Sequence, residues 1–274
     1  MRRWSAPVLL SWFFTSPLGA QVNVPVNGPE NTAHPVHAFT NAIIHVTPDE
    51  VLPEATLLIQ EDQVIGVGAR LRVPAGAIVH DLDGLHIWPA LVEPYGTYGV
   101  PDASKGSEAP AGARFWNRAV HATTRADQLL VADAEKAGAL RAQGFGTVIT
   151  QRNDGIVRGT SAAVVLAGRS VNEDVIMPRC AAQFSFRKGS SPDNYPSSLT
   201  GSIALLRQTF YDARWYAEQG RMEQSDTELE ALNAQLELPL VFEASERNDI
   251  LRISAIGKEF GLRWNQVLEA GGVM

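Results

Sequence analysis

The chain has 274 residues, of which 45% are hydrophobic and 19% are charged, a composition typical of a globular protein that buries a core. The formal net charge is −7 and no long run of one sign occurs, which argues against the basic stripe of a nucleic-acid-binding surface. Nucleic acid is therefore not an expected partner. Cys180 is the only cysteine, so an internal disulfide is excluded.

The first 20 residues have the order of a secretory signal peptide. Arg2 and Arg3 form a positive start, an apolar run follows at residues 7–14, and small residues end the segment at Ala20. This run is shorter than the roughly 20 residues of a membrane-spanning helix, so we expect cleavage near Ala20 and no stable membrane span afterwards. Residues 21–36 are predicted to form a flexible leader. The expected location is secreted or periplasmic.

Short β-strands are predicted between residues 37 and 88. Apolar segments at residues 42–46, 56–60 and 63–67 are followed by a further pair at 78–82 and 85–88. The tight-turn signals Glu61-Asp62 and Asp83-Gly84 join neighbouring segments. Packing or surface roles, rather than catalysis, are expected for the histidines inside these strands, which are His45, His80 and His86.

After Trp88, strands and helices alternate, which favours a parallel sheet. Helices are predicted at residues 131–143, 202–218, 225–236 and 249–260, with strands at 146–150, 160–167, 239–244 and 262–268. Ser225, with Glu228 three residues later, predicts a capping box at the start of the third helix. The segment from Gly155 to Gly159 lacks phosphate-loop spacing and is interpreted as a turn.

Several short motifs, taken in order, resemble the N-terminal part of the amidohydrolase superfamily, particularly its imidazolonepropionase-like members. The motifs are Phe39-Thr40-Asn41-Ala42-Ile43-Ile44, Leu57-Leu58-Ile59, Val64-Ile65-Gly66-Val67-Gly68, Val73-Pro74-Ala75-Gly76-Ala77, Asp81-Leu82-Asp83-Gly84 and Pro89-Ala90-Leu91-Val92-Glu93. The similarity continues through residues 158–162 and 238–272. It implies an α/β fold in which residues 37–88 begin a composite β-sandwich domain and residues 89–274 form a partial (β/α)8 TIM-like barrel. Because a full barrel has eight strands, we expect an incomplete version of a longer protein.

The resemblance implies hydrolysis of C–N bonds, possibly in cyclic amides, by water bound to a divalent metal such as Zn. A small-molecule substrate is the partner implied. The family's His-x-His pair is absent, however, because Tyr95 and Thr97 occupy the positions of those two ligands. Glu243 stands where a further family histidine is expected, and no histidine follows His121. The metal site is therefore expected to be degenerate or incomplete, and its ligands are not identified.

Two carboxylates are the candidate catalytic residues. Glu243 and Glu93 both lie near predicted C-terminal strand ends, where a barrel carries its chemistry, and Glu243 is predicted to act as metal ligand or acid/base with Glu93 in support. A purely structural role in ion pairs is the competing interpretation. Two alternatives to an exported hydrolase also remain: a non-catalytic periplasmic binding barrel, and an inactive truncated fragment.

Overall fold

The structure is a computed structural model that describes residues 34–103, 116–218 and 225–268. The predicted signal peptide lies outside the described residues, as does most of the predicted leader. The chain divides into two compact units, one ending at Trp88 and the other beginning at Pro89. Among the described residues, no helix combines the length and the apolar character needed to cross a membrane.

The first unit is built on one five-stranded sheet. Strand β1 pairs antiparallel with β2 and in parallel with β4 and β5, while β3 extends the sheet beyond β2. Ala42, Ile44 and Ala55 form its small buried core. The strands are β1 (His37–Thr47), β2 (Glu50–Gln60), β3 (Gln63–Gly68), β4 (Ile78–Asp81) and β5 (His86–Ile87).

The two predicted turns have different outcomes. Glu61, with a φ of 54°, closes the β2–β3 hairpin as expected. Asp83-Gly84 does not join a hairpin, because β4 and β5 both run parallel to β1. The connecting residues continue along β1, with the Leu82 amide donating to the Thr40 carbonyl at 3.0 Å. Since β1 extends over 11 residues, it is long enough to take both short strands in sequence.

Histidines from facing strands meet in two pairs on this sheet. His37 Nδ1 lies 3.1 Å from His80 Nε2, and His45 Nε2 lies 2.8 Å from His86 Nδ1. The ring of His45 also stacks on Trp88, with 3.4 Å between ring centroids. These contacts agree with packing roles for the strand histidines.

The second unit contains two four-stranded sheets, in the orders β10-β9-β7-β6 and β13-β12-β11-β8. Parallel pairing joins β6 to β7, β11 to β12 and β12 to β13. The unit is mixed α/β, as predicted, although β8, β9 and β10 add antiparallel pairs. The strands are β6 (Leu91–Gly96), β7 (Phe145–Thr150), β8 (Val157–Thr160), β9 (Ala162–Val165), β10 (Val175–Met177), β11 (Ala182–Ser185), β12 (Leu240–Ala244) and β13 (Trp264–Leu268).

The interpretation of residues 155–159 as a turn is wrong for most of that segment. Gly155 does bend the chain, with a φ of 93°, but β8 begins two residues later and is buried throughout. Gly159 has a φ of 81° within β8, where its backbone lies against the Thr124 carbonyl. Glycine is common in turns, but here its missing side chain permits this close approach inside a strand.

The four helices that the apolar periodicity predicts are present, with small differences at their ends, and two short helices accompany them. The helices are α1 (Ala126–Leu129), α2 (Ala134–Ala142), α3 (Val171–Asp174), α4 (Leu199–Glu218), α5 (Thr227–Gln235) and α6 (Arg247–Phe260). The N-cap of α5 is Asp226 rather than Ser225, because the Asp226 carboxylate accepts from the first-turn amides. Gly261 ends α6 in the left-handed conformation, which glycine adopts readily at the end of a helix.

The largest core lies between the sheet β13-β12-β11-β8 and helices α4, α5 and α6. Phe184 and Phe242, from neighbouring strands, are fully buried. Both rings make edge contacts with Trp264, at centroid distances of 5.0 and 5.9 Å. This packing fixes β11, β12 and β13 beside one another and so determines where their last residues lie.

Candidate functional site

Tyr95 lies near the end of β6 and is the first residue of the candidate site in chain order. Glu93 Oε1 accepts a hydrogen bond of 3.1 Å from the Tyr95 amide, which fixes the backbone there. The Tyr95 hydroxyl donates to Glu243 Oε2 at 2.5 Å, across a separation of 148 residues in the chain. Strands β6 and β12 therefore bring together two of the residues that the sequence singled out.

Arg158, on β8, is the centre of the cluster. Its side chain is 2% exposed, and its Nη1 donates to Glu243 Oε2 at 2.6 Å and to the Tyr95 hydroxyl at 3.0 Å. Nη2 donates to Ser185 Oγ at 2.9 Å. Further bonds reach the Asn153 side chain and the Gly155 carbonyl. The guanidinium is thus bonded on all three of its nitrogens.

Two guanidinium groups hold the buried carboxylate of Glu243. Its side chain is 1% exposed, and its second oxygen pairs with Arg187. Burial acts to raise the pKa of Glu243, but the positive charge and hydrogen bonds of Arg158, with the bond from Tyr95, outweigh it, and the pKa lies below its usual value. Glu243 is therefore ionised in the folded protein at neutral pH.

Tyr95 stays protonated and acts as a donor. Burial raises its pKa well above the usual value, the charge of Arg158 opposes this in part, and the neighbouring Glu243 carboxylate raises it further. The hydroxyl consequently accepts from Arg158 and donates to Glu243, so it joins the two charged groups in one network.

The residues present do not fit a divalent metal. Across the described ranges, no group of three or more His, Cys, Asp or Glu side chains is placed to hold one. Both Glu243 oxygens already accept from arginines, and a neutral tyrosine is a poor ligand compared with imidazole. Thr97, at the second expected histidine position, is exposed beyond the end of β6. The described residues of this cluster therefore supply no ligand set for the Zn ion that the resemblance implies.

A cavity of about 540 Å³ adjoins the cluster. Arg187 connects the two, because it pairs with Glu243 and also lines the cavity, with a side chain that is 48% exposed. The lining consists of Phe186, Arg187, Lys188, Pro196, Ser197, Ser198, Leu199, Ser202, Ser245, Glu246 and Asp249. The cavity therefore presents hydroxyl groups together with charges of both signs.

The predicted residues are brought together only in part. Glu243 lies at the centre, while Glu93 is half-buried and reaches the cluster through the Tyr95 backbone amide. Arg158 and Arg187 were missed as site residues. The strand signal of Val157-Arg158-Gly159-Thr160 was obscured by Gly155 before it and by Gly159 within it. Arg187 follows the alternating polar and apolar residues that contain β11.

The fold and the site together define a mixed α/β protein with a charged, arginine-held centre near its strand ends. Among solved structures, the chain is similar to an amidohydrolase from Thermotoga maritima MSB8, with 20% identity, a TM-score of 0.65, and coverage of 85% of this chain and 64% of that one. At this identity the likeness shows the fold: the chain has an amidohydrolase fold, which confirms the predicted resemblance at that level.

Two further structures match with TM-scores below 0.5. One is a β-aspartyl dipeptidase from Fervidobacterium islandicum AW-1 in complex with a β-Asp-Leu dipeptide, at 16% identity, a TM-score of 0.35, and coverage of 84% and 64%. The other is a prolidase, at 14% identity and a TM-score of 0.39, with coverage of 83% of this chain and 60% of that one. The chain spans less than two thirds of the length of these three proteins. No family model and no curated protein sequence matches the chain.

Proposed function

We propose that this chain binds a polar small molecule in the cavity beside Glu243, at a centre held by arginines. The observation that carries the proposal is the position of Arg187. Its guanidinium pairs with the buried Glu243 carboxylate, and its half-exposed side chain forms part of the cavity wall. A ligand in the cavity would therefore contact a group whose orientation the buried cluster already fixes, which lowers the cost of ordering on binding.

The charges around the cavity favour a small ligand that is neutral and polar or carries both signs. Arg187 and Lys188 contribute positive charge, whereas Glu246 and Asp249 contribute negative charge. Asp249 is already paired with Arg252 at 2.9 Å, and Lys188 donates to the Asp193 carbonyl at 2.8 Å. Side chains anchored in this way give a largely pre-formed surface with a few convergent polar groups, as small-molecule sites have.

Thermal denaturation of the intact protein with hydantoin, which is neutral at pH 7, and with free amino acids, which carry both charges, tests the proposal. A compound present at 100 times its Kd stabilises the folded state by about 2.7 kcal/mol. We expect at least one probe to raise Tm, and the shift to be lost in Arg187→Met but kept in Arg207→Met. Arg207 is a matched control because it is an equally exposed arginine paired with a carboxylate away from the cavity. A shift that survives Arg187→Met would reject this site.

Hydrolysis of C–N bonds by the whole protein is the second candidate function, supported by the fold shared with the Thermotoga amidohydrolase. In this proposal Glu243 acts as metal ligand or acid/base, with Glu93 in support. The lowered pKa of Glu243 makes it a weak base, so the hydrolase proposal depends more on residues outside the described ranges. Turnover of hydantoin or N-acyl amino acids that Glu243→Gln abolishes would favour it. Unchanged metal content and turnover in that variant would remove Glu243 from catalysis.

Two further expectations accompany this function. We propose export with cleavage near Ala20, which N-terminal sequencing of protein from the periplasmic or secreted fraction tests.

We also propose that β6, β7, β11, β12 and β13 are strands of a (β/α)8 barrel, because the parallel pairs β11–β12 and β12–β13 are each connected through helices.

A further inference from the structure

We propose that the guanidinium groups of Arg158 and Arg187 supply the positive charge that a divalent metal would supply beside Glu243, so that this centre folds and the Glu243 carboxylate is compensated without metal. The inference concerns only the buried cluster and is independent of whether a ligand occupies the cavity. It rests on the donors that Arg158 presents, their partners and their burial.

The partners of Arg158 come from several separate parts of the second unit. Tyr95 belongs to β6, Ser185 to β11 and Glu243 to β12, and the remaining two acceptors follow β7. A metal ion joins distant strands by coordinating several oxygens at once. Arg158 makes the same kind of connection through the N–H donors on all three nitrogens of its guanidinium.

The charges at this centre also resemble those of a metal site. Each arginine carries one positive charge, so the two together bring to the Glu243 carboxylate the charge of one divalent ion. Arg158 is almost completely buried, and such a charge is tolerated only when it is paired and hydrogen-bonded. Since both Glu243 oxygens are occupied by arginines, a metal would have to displace a salt bridge to bind there.

Lysine cannot replace Arg158 in this arrangement. An ammonium group has three donors at a single point, whereas the guanidinium reaches opposite sides of the cluster from a rigid plane. The Ser185 hydroxyl and the Gly155 carbonyl lie on Nη2 and Nε, away from the Glu243 side at Nη1. Arg158→Lys is therefore expected to lose part of the network although it keeps the charge.

The first test is metal analysis of the intact wild-type protein after incubation with Zn²⁺ and dialysis. We expect less than about 0.1 metal ion per chain and a Tm that EDTA does not change, because the affinity of a site depends on a suitable ligand set. About one tightly held metal ion per chain, with a Tm that falls when EDTA removes it, would overturn the proposal. This measurement needs no variant.

The second test is a double-mutant cycle with Arg158→Met and Glu243→Gln. Glu243→Gln leaves the buried Arg158 without its counter-ion, so Tm should fall by roughly 6–20 °C. Arg158→Met removes one of the two cations on Glu243 and should also lower Tm, although Arg187 and Tyr95 still hold the carboxylate. The double variant should lose clearly less than the sum, because neither buried charge of this pair remains. Additive losses would show that the two groups are not coupled and would refute the inference. If Arg158→Met does not fold, the metal analysis of the wild-type protein tests the inference by itself.

Discussion

Replacing Glu243 with glutamine should destabilise the protein strongly. The change keeps the shape of the side chain but removes its charge and places an amide N–H among the donors of Arg158, Arg187 and Tyr95. Arg158 is then left as a buried cation without its counter-ion. Removing one partner of a buried ion pair costs about 3–5 kcal/mol, which corresponds to a fall in Tm of roughly 6–20 °C for a unit of this size.

The pH dependence of this loss gives a sharper test. The pKa of Glu243 is lowered in the folded state, so its contribution to stability is present above the ordinary glutamate pKa of about 4.3 and is lost as the pH falls below it. Urea denaturation of wild type and variant should therefore give a constant difference from pH 6 to pH 8 and a smaller one in the acid range.

A matched control is provided by Glu259→Gln. Glu259 also accepts from an arginine and a tyrosine, Arg207 and Tyr211, but this cluster lies at the surface, where water and salt screen it. Its replacement should change the unfolding midpoint little. Equal losses for the two variants, or a Glu243→Gln difference that grows as the pH falls, would refute the reasoning from burial and charge.

Three other outcomes are expected. Partial burial and the neighbouring His86 lower the pKa of His45. The stability that its neutral form gives is therefore present above about pH 6.5 and is lost on acidification. His45→Gln should flatten this part of the Tm–pH curve. Phe242→Ala should cost about 3–5 kcal/mol in urea denaturation, because the ring is fully buried in the largest core. Gly159→Ala should lower Tm more than Gly261→Ala. Both glycines have positive φ, and this strain alone should cost about 1–2 kcal/mol of stability at Gly261. Only at Gly159 would the new methyl group also meet main-chain atoms. Equal effects at the two glycines would contradict the steric argument.

Local sequence signals predicted the helices well, because those signals act over a few residues. The apolar spacing of α4 and α6 and the left-handed Gly261 could be read directly from the chain. Strand pairing was harder to predict from the sequence. The Asp83-Gly84 turn signal was real, since both residues have positive φ, but only the length of β1 decides that the strands on either side pair with it.

The site was harder to predict than the fold. The resemblance identified Tyr95 and Glu243 as residues at special positions, and the structure places them in contact. It did not identify Arg158, because its five acceptors come from parts of the sequence that no local pattern connects.

The uninterrupted stretch from β8 to β9 has a consequence for how the second unit unfolds. Residues 157–160 pair with β11, residues 162–165 pair with β7, and Ser161 between them bonds to the main chain at Cys180 and Ala181. One stretch of backbone therefore has hydrogen-bonded partners in both sheets. Opening either sheet at this stretch loosens a strand of the other, so the amides of β7 and β11 should exchange with solvent deuterium as one cooperative group.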